Sequence, residues 1–243
     1  MAKLGLIGFG EMGKAIALLA AQQDHEITAK FTSQNPLSAN TNVDSIDVFV
    51  EFTCPDGVVE NVKTAAQLQK PLVIGTTGWS EHLQEVEKIV TDSQIGLIYA
   101  SNFSLGMNLF FKIVENASSL FNKFELYDPY IHEIHHNGKV DSPSGTALTL
   151  GKIILEKIKR KSDILSGTSE GQISPDQLHV TSTRAGKVPG THTVGFESEA
   201  DSIELNHSAR NRNGFALGAL YAAEWIIGKQ GLFTMDDLMT DLM

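Results

Sequence analysis

A single cysteine, Cys54, stands in 243 residues, so no disulfide can form within the chain. Such sparing use fits a reducing compartment. Basic residues are also scarce: 19 Lys and Arg face 29 Asp and Glu, a formal net charge of −10. A general nucleic-acid binder carries the opposite sign, so nucleic acid is not an expected partner. Long apolar runs are missing too, and none approaches the ~20 residues that a membrane helix needs. The opening Met1-Ala2-Lys3-Leu4-Gly5 runs straight into a glycine loop and leaves no room for a signal peptide. The expectation is a cytoplasmic protein with no membrane partner. No repeat and no low-complexity tract is visible. What remains is ordinary globular composition, 42% hydrophobic and 20% charged. An acidic chain of this kind must concentrate positive charge locally if it handles anions.

Apolar runs alternate with helical patterns through the first hundred residues. Leu4–Ile7, Glu26–Phe31, Asp47–Phe52, Pro71–Gly75 and Ile95–Tyr99 read as strands. Helices are expected over Lys14–Gln23, Val58–Lys70 and Ser80–Val90. Strands that alternate with helices in this way imply a parallel sheet covered on both faces. The pattern then changes. A helix over Leu105–Phe121 leads to an extended Phe124–His136, and a helix over Thr146–Arg160 places Ala147, Leu150, Ile154 and Ile158 on one face. Residues 162–176 read as a loop, followed by strands Leu178–Arg184, His192–Glu197 and Ser202–Ala209 and a last helix over Phe215–Ile227. The fold class expected is α/β: a Rossmann-type parallel-sheet domain over residues 1–103, plus an α+β domain with a mixed open sheet over 104–213.

Three places carry chemistry. Gly8-Phe9-Gly10-Glu11-Met12-Gly13 lies between a strand and a helix, where the first glycine allows a tight turn. The second lets a pyrophosphate approach the backbone, and the third lets helix and strand pack closely. The helix start then offers free amides and a positive dipole end to phosphates. The second place, His132-Glu133-Ile134-His135-His136, matches HExxH literally. That motif ligates zinc only on a helix, and Pro129 and Asn137-Gly138 leave little room for one. As a strand, Glu133 and His135 share one face while His132, Ile134 and His136 share the other, so no metal is expected. Third, Lys139 and the Ser144-Gly145-Thr146 helix start follow His135 closely. An imidazole, a lysine and an anion cradle within 12 residues suit the holding and protonation of a carboxylate substrate.

The run His135-His136-x-x-Lys139-x-Asp141-x-Pro143-Ser144-Gly145-Thr146-Ala147 resembles the 4-hydroxy-tetrahydrodipicolinate reductases of lysine and diaminopimelate biosynthesis. Glu133, Val50-Glu51-Phe52-Thr53, Val73–Gly78, Ala100–Ser104, Val188–Thr191 and Ser208–Arg210 are similar to family positions as well. The family's glycine loop often carries Arg where this chain has Glu11, and is one residue longer. The resemblance implies NAD(P)H-dependent reduction of a cyclic imine dicarboxylate, with hydride delivered to ring C4 and a proton to C3. His135 would be the general acid and Lys139 the second catalytic residue. His136, Gly145 and Thr146 would touch a substrate carboxylate; Gly75-Thr76-Thr77 and Ala100-Ser101-Asn102-Phe103 would lie on the nicotinamide side. It also implies a cofactor domain completed by residues 214–243, a middle domain for substrate and oligomerisation, and a homotetramer. Two other readings stay open: another Rossmann dehydrogenase acting on an amino acid or semialdehyde, and a dinucleotide sensor without turnover.

Cofactor preference follows from this chain's own residues. NAD-binding domains place Asp or Glu about 20 residues past the glycine loop to accept from the ribose hydroxyls. Here Lys30 stands there, followed by Thr32 and Ser33. An ammonium pairs with a 2′-phosphate, so NADPH is expected to be modestly preferred over NADH.

Overall fold

The structure, a computed structural model, describes residues 1–242. Two compact units form, one of Met1–Asn108 with the chain from Arg212 onward, the other of Leu109–Asn211.

The first unit is built on six parallel strands: β1 (Lys3–Ile7), β2 (Glu26–Phe31), β3 (Val48–Glu51), β4 (Leu72–Ile74), β5 (Gly96–Tyr99) and β11 (Gly231–Thr234). Their order across the sheet is β11-β5-β4-β3-β1-β2. The central strands are apolar on both faces because each face is covered, which is why they read as continuous hydrophobic runs. Val48 and Val50 of β3, Val73 and Ile98 face one core, filled by α1 (Glu11–Ala20), α6 (Asn213–Ile226) and α7 (Met235–Leu242). Phe49, Leu72, Ile74 and Leu97 face the other, filled by α2 (Val58–Gln67) and α3 (Leu83–Ser93). Each such side chain, fully buried, is worth about 1.5–3 kcal/mol of transfer free energy. The strand–helix alternation expected for an α/β domain is therefore observed, with small shifts at helix starts. α1 begins at Glu11, and Ser80–His82 forms a 3-10 turn ahead of α3. Among the described residues no helix is long and apolar enough to cross a membrane.

The second unit holds a mixed five-stranded sheet in the order β10-β9-β6-β8-β7. Its strands are β6 (Asp128–His135), β7 (Asp163–Ser166), β8 (Gln177–Arg184), β9 (Thr191–Glu197) and β10 (Ser202–Ser208). β6 and β8 run parallel, while β9 is antiparallel to both β6 and β10. The short edge strand β7 lies in the segment expected to be a loop; it is parallel to β8, and pairing rather than composition makes it a strand. Helix α4 (Leu105–Phe121) precedes the sheet, and α5 (Gly145–Lys157) covers one face of it. Ala147, Leu150, Ile154 and Ile158 are fully buried, as are Ile131, Leu178 and Val180 of the strands. β6 alternates buried and half-buried residues, and its buried face carries Pro129, Ile131, Glu133 and His135.

Candidate active site

In the first unit the glycine loop joins β1 to α1. Gly8 adopts φ +94°, and a Cβ there would stand 2.1 Å from the Phe52 carbonyl oxygen. A Cβ on Gly13 would stand 2.3 Å from the Gly8 carbonyl oxygen, so helix and loop touch backbone to backbone. Around Gly10 nothing lies within 4 Å of that position, which leaves the space a pyrophosphate needs. Gly10 is also the N-cap of α1, with no side chain capping the helix amides. A cleft of about 590 Å³ opens beside the loop, lined by Gly8, Phe9, Gly10, Thr32, Ser33 and Thr53 among others. These features fit a dinucleotide.

Lys30 is exposed and its Nζ sits 4.4 Å from the centre of the Phe9 ring, which draws the ammonium toward the glycine loop. Glu11 pairs with Arg212 at 2.9 Å, so its charge beside the loop is offset. Met12 is half-buried behind the loop. Gly75, Thr76 and Thr77 follow β4. Thr76 is buried, and its hydroxyl accepts from Thr53 N at 2.8 Å, while Thr77 is exposed. Ala100, Ser101 and Asn102 follow β5 and are at least partly exposed; Phe103 is buried. The side chains of Thr76 and Phe103 thus pack inward, while Thr77 and Ser101 beside them are exposed. A residue not singled out from sequence for a role is Glu51, fully buried at the end of β3. Burial pushes its carboxyl above the usual range, against hydrogen bonds from Thr53, Thr76 and Asn61.

In the second unit the functional run follows β6. His135 is the last residue of β6, buried, with His136 exposed beyond it. Lys139 is half-buried and pairs with Asp141 Oδ1 at 2.7 Å. Ser144 is the N-cap of α5, and its Oγ accepts from Ala147 N at 3.1 Å. Gly145 is exposed, Thr146 half-buried, and a Cβ on Gly145 would meet nothing within 4 Å. The space beside Gly145 is therefore open, and the Asp141 carboxylate accepts from the Gly145 amide, as a substrate carboxylate would. Gly190 approaches His135 from the far side: φ is +155°, and a Cβ there would stand 3.0 Å from His135 Nε2.

Sheet register supplies what chain spacing could not show. Glu133 lies opposite Ser182 on β8 and opposite His192 on β9, and His135 lies opposite Arg184. The Glu133 carboxylate, fully buried, accepts from Ser144 N at 2.9 Å, Ser182 Oγ at 2.9 Å and Arg184 Nη2 at 3.2 Å, and from the Ser144 hydroxyl. His192 Nε2 stands 3.5 Å and His135 Nδ1 3.4 Å from its Oε2. Burial pushes the Glu133 carboxyl upward, but hydrogen bonds from His192, Ser144 and Ser182 hold it well below the usual carboxylate range. Burial lowers the His135 imidazole to about 4; the Glu133 charge opposes the shift, and His192, Lys139 and Arg184 add to it. The HExxH pair is not on a helix: His132 Nδ1 lies 2.8 Å from Thr181 Oγ1, on the face away from Glu133.

This site sets a pH dependence of stability. The unfolded imidazole takes a proton near its ordinary 6.5, the folded one only near 4. Between those values the unfolded chain binds more protons, so stability falls as pH falls. Glu133 acts in the same direction, because the depressed folded carboxyl loses its contribution as acid is added below 4.5. Lowering the pH from 7 to 4.5 is expected to cost about 2 kcal/mol through His135 alone. Thermal melts at several pH values read this, and a melting temperature that does not fall across that range contradicts it.

Both halves match known sequences. Residues 2–103 match the family described as "Dihydrodipicolinate reductase, N-terminus" and residues 106–239 that described as "Dihydrodipicolinate reductase, C-terminus". The chain belongs to the dihydrodipicolinate reductase family. A family relative from Christiangramia forsetii, a 4-hydroxy-tetrahydrodipicolinate reductase, is 39% identical over 239 residues, 98% of each chain. Another of that name, from Methanoregula boonei, is 34% identical over 98% of each chain. In fold, the chain is similar to a dipicolinate-bound dihydrodipicolinate reductase from Paenisporosarcina sp. TG-14, with a TM-score of 0.78, 24% identity, and 96% and 97% of the two chains covered.

Proposed function

We infer that this chain reduces 4-hydroxy-tetrahydrodipicolinate to tetrahydrodipicolinate in lysine and diaminopimelate biosynthesis, with His135 as proton donor. The chain is an oxidoreductase of this family and uses a nicotinamide dinucleotide, NADH or NADPH. The observation that supports the finer assignment is local charge. In a chain of net charge −10, Lys139 and Arg184 both act on one buried imidazole, Lys139 paired with Asp141 and Arg184 with Glu133, and Ser144 ties the start of α5 to the same Glu133. That is a setting for a small dianion.

Loss of the 4-hydroxyl as water first leaves a conjugated ring, and a bound nicotinamide would supply the hydride for its C4. Gly75, Thr76 and Thr77 with Ala100, Ser101, Asn102 and Phe103 would hold the nicotinamide. The Gly145 and Thr146 amides, with Lys139 and His136, hold the substrate's carboxylates. Lys139 shares its charge with Asp141, so it adjusts between two carboxylates rather than standing as an isolated cation. With an imidazole held near 4, His135 is neutral at pH 7 in the protein alone. A dianion beside the ring favours its charged form, so a proton enters with the substrate and Nε2 delivers it to C3.

Lys30 on its Phe9 platform supports a modest NADPH preference. A charge-assisted contact of ~1–2 kcal/mol to the 2′-phosphate corresponds to about 5–30-fold, falling as salt rises. The test is an assay coupled to the synthase that makes the substrate, run with each dinucleotide. Turnover with this substrate and a reversed preference in Lys30→Asp are the expected results. No turnover with either dinucleotide contradicts the assigned reaction, and a strong NADH preference unchanged by Lys30→Asp removes Lys30 from the ribose. The resemblance also supports a cytoplasmic homotetramer built through the sheets of the middle unit; sedimentation velocity reads the assembly, and a monomer mass rules it out.

A further inference from the structure

Glu133 is an odd residue to bury. It follows Ile131 on the inward face of β6 and is fully enclosed. An apolar side chain would fill such a place at lower cost, since a buried carboxylate gives up its hydration and needs every oxygen satisfied. Here that satisfaction comes from three different elements: Ser144 at the head of α5, Ser182 and Arg184 on β8, and His192 on β9.

Two of its neighbours matter for the chemistry. His135 Nδ1 is buried without a hydrogen bond, and Glu133 Oε2 lies 3.4 Å from it. The other ring nitrogen, Nε2, faces Gly190. Ser144, which gives Glu133 both its amide and its hydroxyl, is the residue that caps α5 and so sets where the Gly145 and Thr146 amides lie.

We propose that Glu133 is the positioning residue of this site: it accepts from His135 Nδ1 when the ring is charged, so that the transferable proton sits on Nε2, and through Ser144 it holds the carboxylate cradle in register with that proton. The groups facing the ring are Glu133 on its own strand, Arg184 on β8, His192 on β9 and Lys139 on the following loop. Glu133 is the one anion among them. Without its charge the ring would face cationic and neutral groups only, and its protonated form would be disfavoured just where the reaction needs it. A 3.4 Å separation is long for a hydrogen bond and is of the kind that closes when the donor gains its proton. The same division of labour, in which a buried carboxylate fixes the tautomer while the far nitrogen does the chemistry, is general for carboxylate–imidazole pairs.

The proposal rests on His135 being the acid, so the experiment separates the two. Glu133→Gln keeps the shape and removes the charge. It is expected to lower kcat by about 10²-fold at neutral pH and to move the alkaline fall of the kcat profile down by about one pH unit. Affinity for pyridine-2,6-dicarboxylate should drop, and dinucleotide affinity should stay. Glu133→Asp should recover part of kcat and return the alkaline limb toward its original place. A purely structural role would lower the melting temperature and leave kcat per folded site and the pH profile as they were, and that result overturns the proposal. Should Glu133→Gln fail to fold, nitrogen-15 shifts of His135 in the unaltered protein with pyridine-2,6-dicarboxylate bound decide the matter. A proton on Nδ1 is expected, and an Nδ1 that never carries one overturns it. If His135→Gln turns over normally, the acid reading itself has failed; if His135→Gln is impaired while Glu133→Gln keeps the parental profile, only the positioning role has.

Discussion

Replacing His135 with Gln is expected to lower kcat by about 10²–10⁴-fold, the range for losing a positioned general acid. Glutamine retains hydrogen-bonding atoms of similar reach, but its amide cannot give up a proton near neutral pH. The loss should therefore fall on kcat. Dinucleotide affinity should be unaffected, because His135 belongs to the unit of Leu109–Asn211 whereas the glycine loop belongs to the other. Stability should hold or rise in mild acid, since the variant no longer buries an imidazole that resists protonation. Steady-state kinetics, dinucleotide titration and thermal melts measure the three effects. Turnover close to that of the parent would remove this histidine from the mechanism.

Gly8→Ala should abolish useful dinucleotide binding, with affinity down by about 100-fold or more. The residue's φ of +94° disfavours any side chain, and the added methyl would lie 2.1 Å from the Phe52 carbonyl oxygen. That carbonyl is fixed by sheet pairing, as Phe52 N donates to Ile7 O at 2.8 Å. Relief requires the ends of β1 and β3 to part, which moves the amides at the head of α1. A combined strain and clash of several kcal/mol also predicts a lower melting temperature. Gly10→Ala is the matched control: its methyl meets no protein atom within 4 Å, so the melting temperature should stay put. Parental affinity in Gly8→Ala would show that the loop can relax away from Phe52 at little cost.

The first sheet was legible because burial on both faces writes unbroken apolar runs, as in Leu72-Val73-Ile74, and because glycine spacing carries its own geometry. The strand β7 was hidden for the opposite reason. Asp163–Ser166 is short, half-exposed and at a sheet edge, so its sequence reads as a loop and only its partner β8 makes it a strand. In the site, His135, Lys139, Gly145 and Thr146 stand out because they lie close together in the chain. Glu133 was visible as a letter without a role. Its partners Ser182, Arg184 and His192 come from strands some fifty residues away, and nothing short of the β6 register could have brought them to it. His192 in particular carries no local signal in Thr191-His192-Thr193.

The parallel sheet of the first unit takes its last strand, and the helix over one of its faces, from the far end of the chain. During synthesis β5 is finished long before β11 exists to pair with it, and Val50, Val73 and Ile98 wait for the alanine-rich face of α6. The intervening unit, Leu109–Asn211, must leave the ribosome first. At about 5–20 residues per second, those roughly hundred residues take about 5–20 s. For that interval the nascent chain carries an open strand edge and an uncovered apolar face, the two features that recruit chaperones and invite mispairing. A ribosome that stalls within the inserted unit would therefore release a product whose glycine loop is complete in sequence but whose supporting sheet is not.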